Sequence, residues 1–198
     1  MFNWLRSKNM SVYFIQEAHC TKENINDWRT EWGYQALFSC CSTKKAGVAI
    51  LFNNNFCFQI TATHVDPEGR FLICDLSTSG KCFTLVNIYA PNNDNPNFFI
   101  NVSEQLKKFN CDEIIFGGDF NLVLDIDKDK KGGLARTHQK ARDVVCELCE
   151  HLDLTDVWRA MNPDQNRYTW RQKKPEVQCR LDFFLSVKAP SVILFVPV

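Results

Sequence analysis

The stretch "FGGDFNLVLD", beginning at Phe116, places an aspartate and an asparagine two residues apart at the end of an apolar run. Glu113 to Phe116 reads as a strand buried on both faces. Gly117 and Gly118 allow the backbone to bend or be approached closely where that strand stops. In an extended chain Asp119 and Asn121 share one side while Phe120 turns back to the core. An acid and a neutral amide facing one way suit a metal-bound water and a phosphate, although such a stretch taken alone is more often an Asx-turn. Glu17, in "FIQEAH", ends another apolar run, and magnesium takes oxygen ligands with only one or two protein carboxylates. Tyr89 ends a third run in "NIYAPNN", where its ring fits a core and its hydroxyl can face an anion. In "CRLDFFL", Arg180 and Asp182 fall on one strand face, the spacing of an intra-sheet ion pair or of an acid that orients a catalytic group.

Strands must carry these residues to one place, and the pattern supplies them. Val12 to Gln16 is β-prone, and Ile25, Trp28 and Trp32 then recur at helical spacing before Gly33. Four strand candidates follow, Ala46–Phe52, Phe56–His64, Phe71–Leu76 and Cys82–Tyr89, separated by turn residues and read together as an antiparallel meander. Asn95 caps a helix with Pro96 at its first position. A second helix presents Ala141, Val144, Val145, Leu148 and Leu152 on one face. A turn around Asp156 to Met161 and strands near Tyr168–Arg171 and Gln178–Ser186 complete the described pattern. The reading is one α/β domain of layered sheet and helix over residues 1–198, without repeats or a linker.

Composition narrows the function classes. Apolar residues make up 45% of the 198 and aromatics 13%, a globular balance. Basic and acidic residues number 23 each, which argues against a sequence-independent DNA coater but leaves room for a nuclease whose acidic site offsets a basic rim. The ten cysteines include one C-x-x-C, Cys146 and Cys149, inside a helical pattern and without a second pair at zinc spacing. Reduced, mostly buried thiols in an intracellular protein are expected. The alternating Asp125, Asp127 and Asp129 suggest a calcium loop, but Lys130 and Arg136 occupy the places that need glycine and glutamate. No secretory leader is visible, and the apolar run Ser191–Val198 is too short to span a bilayer, reading as a strand cut short.

Taken in order, "IQEAH", "AGVAILF", "VNIYAPN", "GGDFNLVLDIDKDKKGG", "LDLTDVWRAMNP", "YTW" and "RLDFFL" resemble the endonuclease/exonuclease/phosphatase superfamily. Within it the chain is most similar to the apurinic-endonuclease-like domain of non-LTR (LINE-type) retrotransposon polyproteins. The resemblance implies a four-layer α/β (α+β) sandwich of two mainly antiparallel sheets flanked by helices, here incomplete at both termini. It implies magnesium-dependent phosphodiester cleavage, with manganese as an alternative ion, nicking DNA to prime a reverse transcriptase carried by the same polyprotein in the nucleus. By resemblance Glu17 is the metal ligand, Asp119 orients the attacking water, Asn121 holds the scissile phosphate, Tyr89 and Asn92 contact it, and Asp182 orients a catalytic histidine. That histidine belongs to a C-terminal Ser-Asp-His strand, and His19, His64, His138 and His151 stand in no matching context. Losing such a group costs on the order of 10²–10⁴ in rate. The chain is therefore expected to be a weak or inactive endonuclease, the alternative being a non-catalytic retrotransposon-derived remnant that binds nucleic acid.

Overall fold

The side chains of the first strand alternate between two different cores, and that alternation sets the layering. The computed structural model describes residues 1–41, 46–133 and 138–187. The chain opens with α1 (Phe2–Lys8), β1 (Val12–Ile15), α2 (Ile25–Trp32), β2 (Ala36–Ser39) and β3 (Val48–Phe52). These strands form an antiparallel sheet in the order β1-β3-β2. Tyr13 and Ile15 pack with Phe2, Leu5 and Trp32 of the helices. Val12 and Phe14, at the alternate positions, meet Leu72, Leu85 and Ile115 of a second sheet.

That second sheet has six strands, β4 (Gln59–Val65), β5 (Phe71–Thr78), β6 (Lys81–Tyr89), β7 (Glu113–Asp119), β12 (Asp182–Ser186) and β9 (Thr155–Asp156), in that spatial order. Among the described strands only β6 and β7 run parallel, joined through the crossover helix α3 (Pro96–Leu106). On its outer face α3 and α5 (Gln139–His151) bury Phe99, Val102, Val145 and Leu148 against Ile73, Val86, Phe116 and Leu185. The layers thus run helix, sheet, sheet, helix. Between β7 and α5 lie α4 (Ile126–Asp129) and β8 (Lys130–Lys131), and between β9 and β12 lie α6 (Val157–Met161), β10 (Trp170–Lys173) and β11 (Glu176–Cys179). Strands β10, β11 and β8 make a small third sheet beside the main one.

Several local expectations are borne out. Asn95 accepts a hydrogen bond from the Phe98 N–H with Pro96 at the first helical position, and Gly33 ends α2 in the left-handed region. Others require correction. The four-strand meander is a three-strand one, β4-β5-β6, because β3 crosses into the first sheet. A run buried on both faces, "VAILF", carries no mark of which sheet it enters. The Gln178–Ser186 run is two strands broken at Arg180 and Leu181, and the turn after Asp156 is the short helix α6, capped by the Asp156 carboxylate on the Arg159 N–H. Cys82 and Cys111 are joined as a disulfide, contrary to the expectation of reduced thiols, and Cys57 and Cys146 are exposed. The Ser191–Val198 run lies outside the described residues.

Candidate active site

Strand pairing lines up three of the candidate residues. In the parallel pair β6–β7, Tyr89 stands opposite Asp119, and in the antiparallel pair β7–β12, Asp119 stands opposite Asp182. Tyr89, Asp119 and Asp182 therefore form a row across three neighbouring strand ends. The two glycines before Asp119 make the row possible. A Cβ on Gly117 would strike the Phe184 ring, and one on Gly118 would strike the Ile88 carbonyl, at a φ of +132° that L side chains rarely adopt.

The chain then turns sharply. The Asn121 N–H donates to Asp119 Oδ1 at 2.8 Å, so an Asx-turn does form, and Asn121 takes a φ of 50°. Its side-chain amide donates to the Ala90 carbonyl at 2.8 Å and approaches Asp119 Oδ2 at 3.3 Å. The turn reading and the strand-end reading of this stretch are one structure: the turn fixes the carboxylate that the strand delivers.

Glu17 reaches the row from the other sheet. It lies two residues past β1 in the left-handed region, and the following backbone is tied to β3's approach by Ala18 N–H to Gly47 and His19 N–H to Ala46, each at 2.9 Å. The Tyr89 hydroxyl donates to Glu17 Oε1 at 2.5 Å. Glu17, Tyr89, Asn92, Asp119, Asn121 and Asp182, all six sequence-predicted residues, line one cleft of about 890 Å³. Thr169, Trp170, Lys130 and His138 line it too, and the sequence reading had assigned none of them to the site. Thr169 Oγ1 accepts from the Leu181 and Asp182 N–H groups at 3.0 and 3.2 Å and also hydrogen-bonds the Asp182 carboxyl. "YTW" contains both residues, but only the folding of β10 beside β12 brings them to the cleft.

The cleft is electrostatically strained in one direction. Burial, then the Asp182 carboxylate, with Glu17 as a smaller contributor, push Asp119 from 3.8 up to about 7, against the pull of the Asn121 N–H. Burial and Glu17 also raise Asp182, and Thr169 opposes them. Burial and the Glu17 carboxylate push the Tyr89 phenol up to about 12, so it remains a donor at neutral pH. Three carboxylates sharing a partly dry cleft repel one another, which is the donor set a divalent cation suits. Among the described residues no group of three or more His, Cys, Asp or Glu side chains is close enough to enclose an ion. A hydrated divalent cation on one or two carboxylates, with Glu17 the most accessible to it, fits better than a closed cage.

Behind the row, Arg180 does not pair with Asp182 as the sequence spacing suggested. It donates to Asp129 through Nε at 2.8 Å and Nη2 at 2.7 Å, and to Asp156 at 2.5 Å. Arg159 also donates to Asp129 at 2.5 Å. The Arg180 and Asp129 side chains are only 3% and 1% exposed, so this is a buried network. It ties the segment after Asn121 to the start of β12. Asp129, read at first as part of a calcium loop and set aside, is thus a structural anchor.

No protein-family model matches the chain. Its sequence is 34% identical over 174 residues to the transposon TX1 uncharacterized 149 kDa protein of Xenopus laevis, a match over 86% of this chain but 13% of that protein. The chain therefore spans a small part of the curated relative. Among solved structures it superposes on the AP endonuclease LMAP from Leishmania major with a TM-score of 0.77 at 16% identity, over 94% of this chain and 72% of that one. The Xenopus laevis APE2 catalytic domain gives 0.71 at 16% identity over 93% and 76%. An AP endonuclease from Archaeoglobus fulgidus gives 0.68 at 18% identity over 94% and 80%. Fold and sequence relative agree with what the motifs suggested: the chain has the apurinic-endonuclease fold of the endonuclease/exonuclease/phosphatase superfamily and resembles the endonuclease-like domain of non-LTR retrotransposons.

Proposed function

We propose that residues 1–198 belong to a metal-dependent endonuclease domain of a retrotransposon polyprotein, acting on the DNA phosphate backbone. The observation that carries the reading is the row Tyr89, Asp119, Asp182 with Glu17 bonded across it, because phosphodiester hydrolysis needs these residue types at one point. A divalent cation, magnesium or manganese, would be held by Glu17 and would neutralise charge on a phosphoryl oxygen. Asp119, raised to about 7, is poised to take a proton from an attacking water near neutral pH. Asn121 keeps one amide N–H on Ala90, and the other, held only by the 3.3 Å approach to Asp119, is the donor for a phosphate oxygen. Tyr89 stays protonated and donates beside Glu17, and Asn92 stands on the cleft wall for a second phosphate contact.

The biological reading extends this to nicking of nuclear target DNA, the 3′-hydroxyl priming a reverse transcriptase elsewhere in the polyprotein. The similarity to a transposon protein supports that extension. For the DNA substrate alone, support also comes from the Neisseria 3′ phosphatase NExo, whose structure is bound to product DNA hairpin and whose fold matches at a TM-score of 0.65 and 20% identity. No described helix is long and apolar enough to cross a membrane.

A second reading, a non-catalytic remnant that binds nucleic acid, starts from Asp182: the resemblance gives it a histidine to orient, and its carboxyl meets Thr169. Under it, cleavage is weak or absent in this chain. Plasmid nicking separates the two. With magnesium, the purified chain is expected to convert supercoiled plasmid to open circles, and EDTA or Asp119→Ala is expected to abolish the conversion. A folded protein that does not nick, or nicking that survives Asp119→Ala, overturns the endonuclease reading.

A further inference from the structure

Glu17 and Tyr89 belong to different sheets, yet their side chains meet at 2.5 Å. The packing between the sheets is apolar, from Val12, Phe14 and Ile50 against Leu72, Leu85 and Ile115. Such packing is non-directional and fixes neither slide nor twist to that accuracy. Polar bonds tie the sheets at the β4–β5 turn, from the Gly47 N–H to Gly69 at 3.0 Å and the Ser39 hydroxyl to Asp66 at 2.6 Å, and a further polar group sits in the interface just below the cleft. Asn87, wholly buried on β6, lies two residues before Tyr89 and so faces the same sheet. Its amide nitrogen donates to the Ile15 carbonyl at 3.1 Å and the Ala49 carbonyl at 2.9 Å, and its oxygen accepts from Gln16 Nε2 at 2.6 Å. Ile15 and Ala49 are opposite one another in the β1–β3 ladder, the last rung before Glu17. A single carboxamide therefore uses both donor hydrogens and its acceptor to clamp the terminal rung of the first sheet onto the catalytic end of the second.

We propose that Asn87 is a positioning residue for the cleft: it sets the relation of the two sheets where Glu17 meets Tyr89 and holds the Glu17 carboxylate over the Asp119–Asp182 row. The inference rests on the endonuclease reading for what Glu17 does there, but its geometric content stands without it. Leucine at this position keeps the volume and offers no hydrogen bond, leaving two buried carbonyls without their donor. Val12→Ala is the matched control, since it weakens the same interface at the far end of β1, where Val12 pairs with Phe52.

The test uses the full chain. Crystal structures of Asn87→Leu and Val12→Ala are expected to show the Tyr89–Glu17 hydrogen bond lost in the first and kept in the second. Manganese titration followed by electron paramagnetic resonance is expected to give about tenfold weaker binding for Asn87→Leu, the size of effect seen when a ligand's supporting partner is removed. Val12→Ala is expected to bind within about twofold of the unmodified chain at equal loss of stability, a difference smaller than such partner effects. If Asn87→Leu does not fold, Gln16→Ala, which removes one of the three bonds from the half-buried side, is expected to weaken binding in the same direction. An intact Tyr89–Glu17 contact in Asn87→Leu, or in Gln16→Ala if that variant stands in for it, overturns the inference. So does equal weakening by Val12→Ala. Glu17→Gln distinguishes the two levels: undiminished manganese binding there overturns Glu17 as the ligand, and the crystallographic comparison still decides Asn87.

Discussion

Asp129→Asn removes one negative charge from a buried set of two arginines and two aspartates, leaving two positive charges against one. The carboxylate it replaces accepts from both Arg180 nitrogens and from Arg159, with a side chain 1% exposed. Afterwards Asp156 is the carboxylate left to Arg180, whose guanidinium also lies over the Trp158 and Phe183 rings, and Arg159 retains the Trp158 ring and backbone carbonyls. Removing one partner of a buried ion pair costs about 3–5 kcal/mol, because the remaining charge stays desolvated. With a urea slope of about 2 kcal/mol per molar for a domain of this size, the unfolding midpoint should fall by roughly 2 M. The double variant Asp129→Leu/Arg180→Met, which removes the charges together, should recover at least half of that loss. The pH dependence has a defined sign. Burial raises the Asp129 carboxyl, but the Arg180 and Arg159 contacts outweigh it and hold it below its ordinary 3.8. Its contribution is therefore complete above pH 3.8 and is lost as pH falls through the lower folded value. A midpoint drop under about 0.5 M, equivalent to about 1 kcal/mol, would refute the claim that this network anchors β12.

Two further outcomes follow from the cleft. Asp119→Asn should stabilise the metal-free protein, because the fold raises this carboxyl from 3.8 to about 7 and so disfavours its ionised form. The gain should be near nil at pH 4 and reach about 2–4 kcal/mol above pH 7, measured by urea unfolding in EDTA; equal gains at pH 5 and pH 8 would contradict the shift. Gly118→Ala should destabilise by about 3 kcal/mol or more, since its Cβ meets the Ile88 carbonyl at a φ of +132°. Calorimetry should show this as a fall of about 10 °C in Tm, and a shift under about 2 °C would mean that β6 and β7 can separate locally.

The local signals in the sequence were sound where the physics is local. The Asn95 cap, the apolar face of α5 and the strand ends before Tyr89 and Asp119 are set by side chains within a few residues of one another. The candidate residues that line the cleft were legible because each stands where an apolar run meets polar residues, and the motifs that linked them are short and ordered. Other features depended on neighbours far along the chain. "VAILF" reads as a buried strand in any sheet, and only packing against Tyr13 and Phe14's strand placed it in the first one. Arg180 was spaced to pair with Asp182, yet the backbone break before β12 turned it toward Asp129 and Asp156, 51 and 24 residues away. Thr169 and Trp170 in "YTW" and Asn87 in "VNIYAPN" lie inside the motifs, yet nothing in their near sequence says what each one touches. Sequence determined which residues could do chemistry and which strands would end beside them. Tertiary structure decided which charges neutralise one another and which sheet faces which, because ion pairing and sheet stacking are governed by distance in space, and hydrophobic periodicity encodes only which face of a strand is buried.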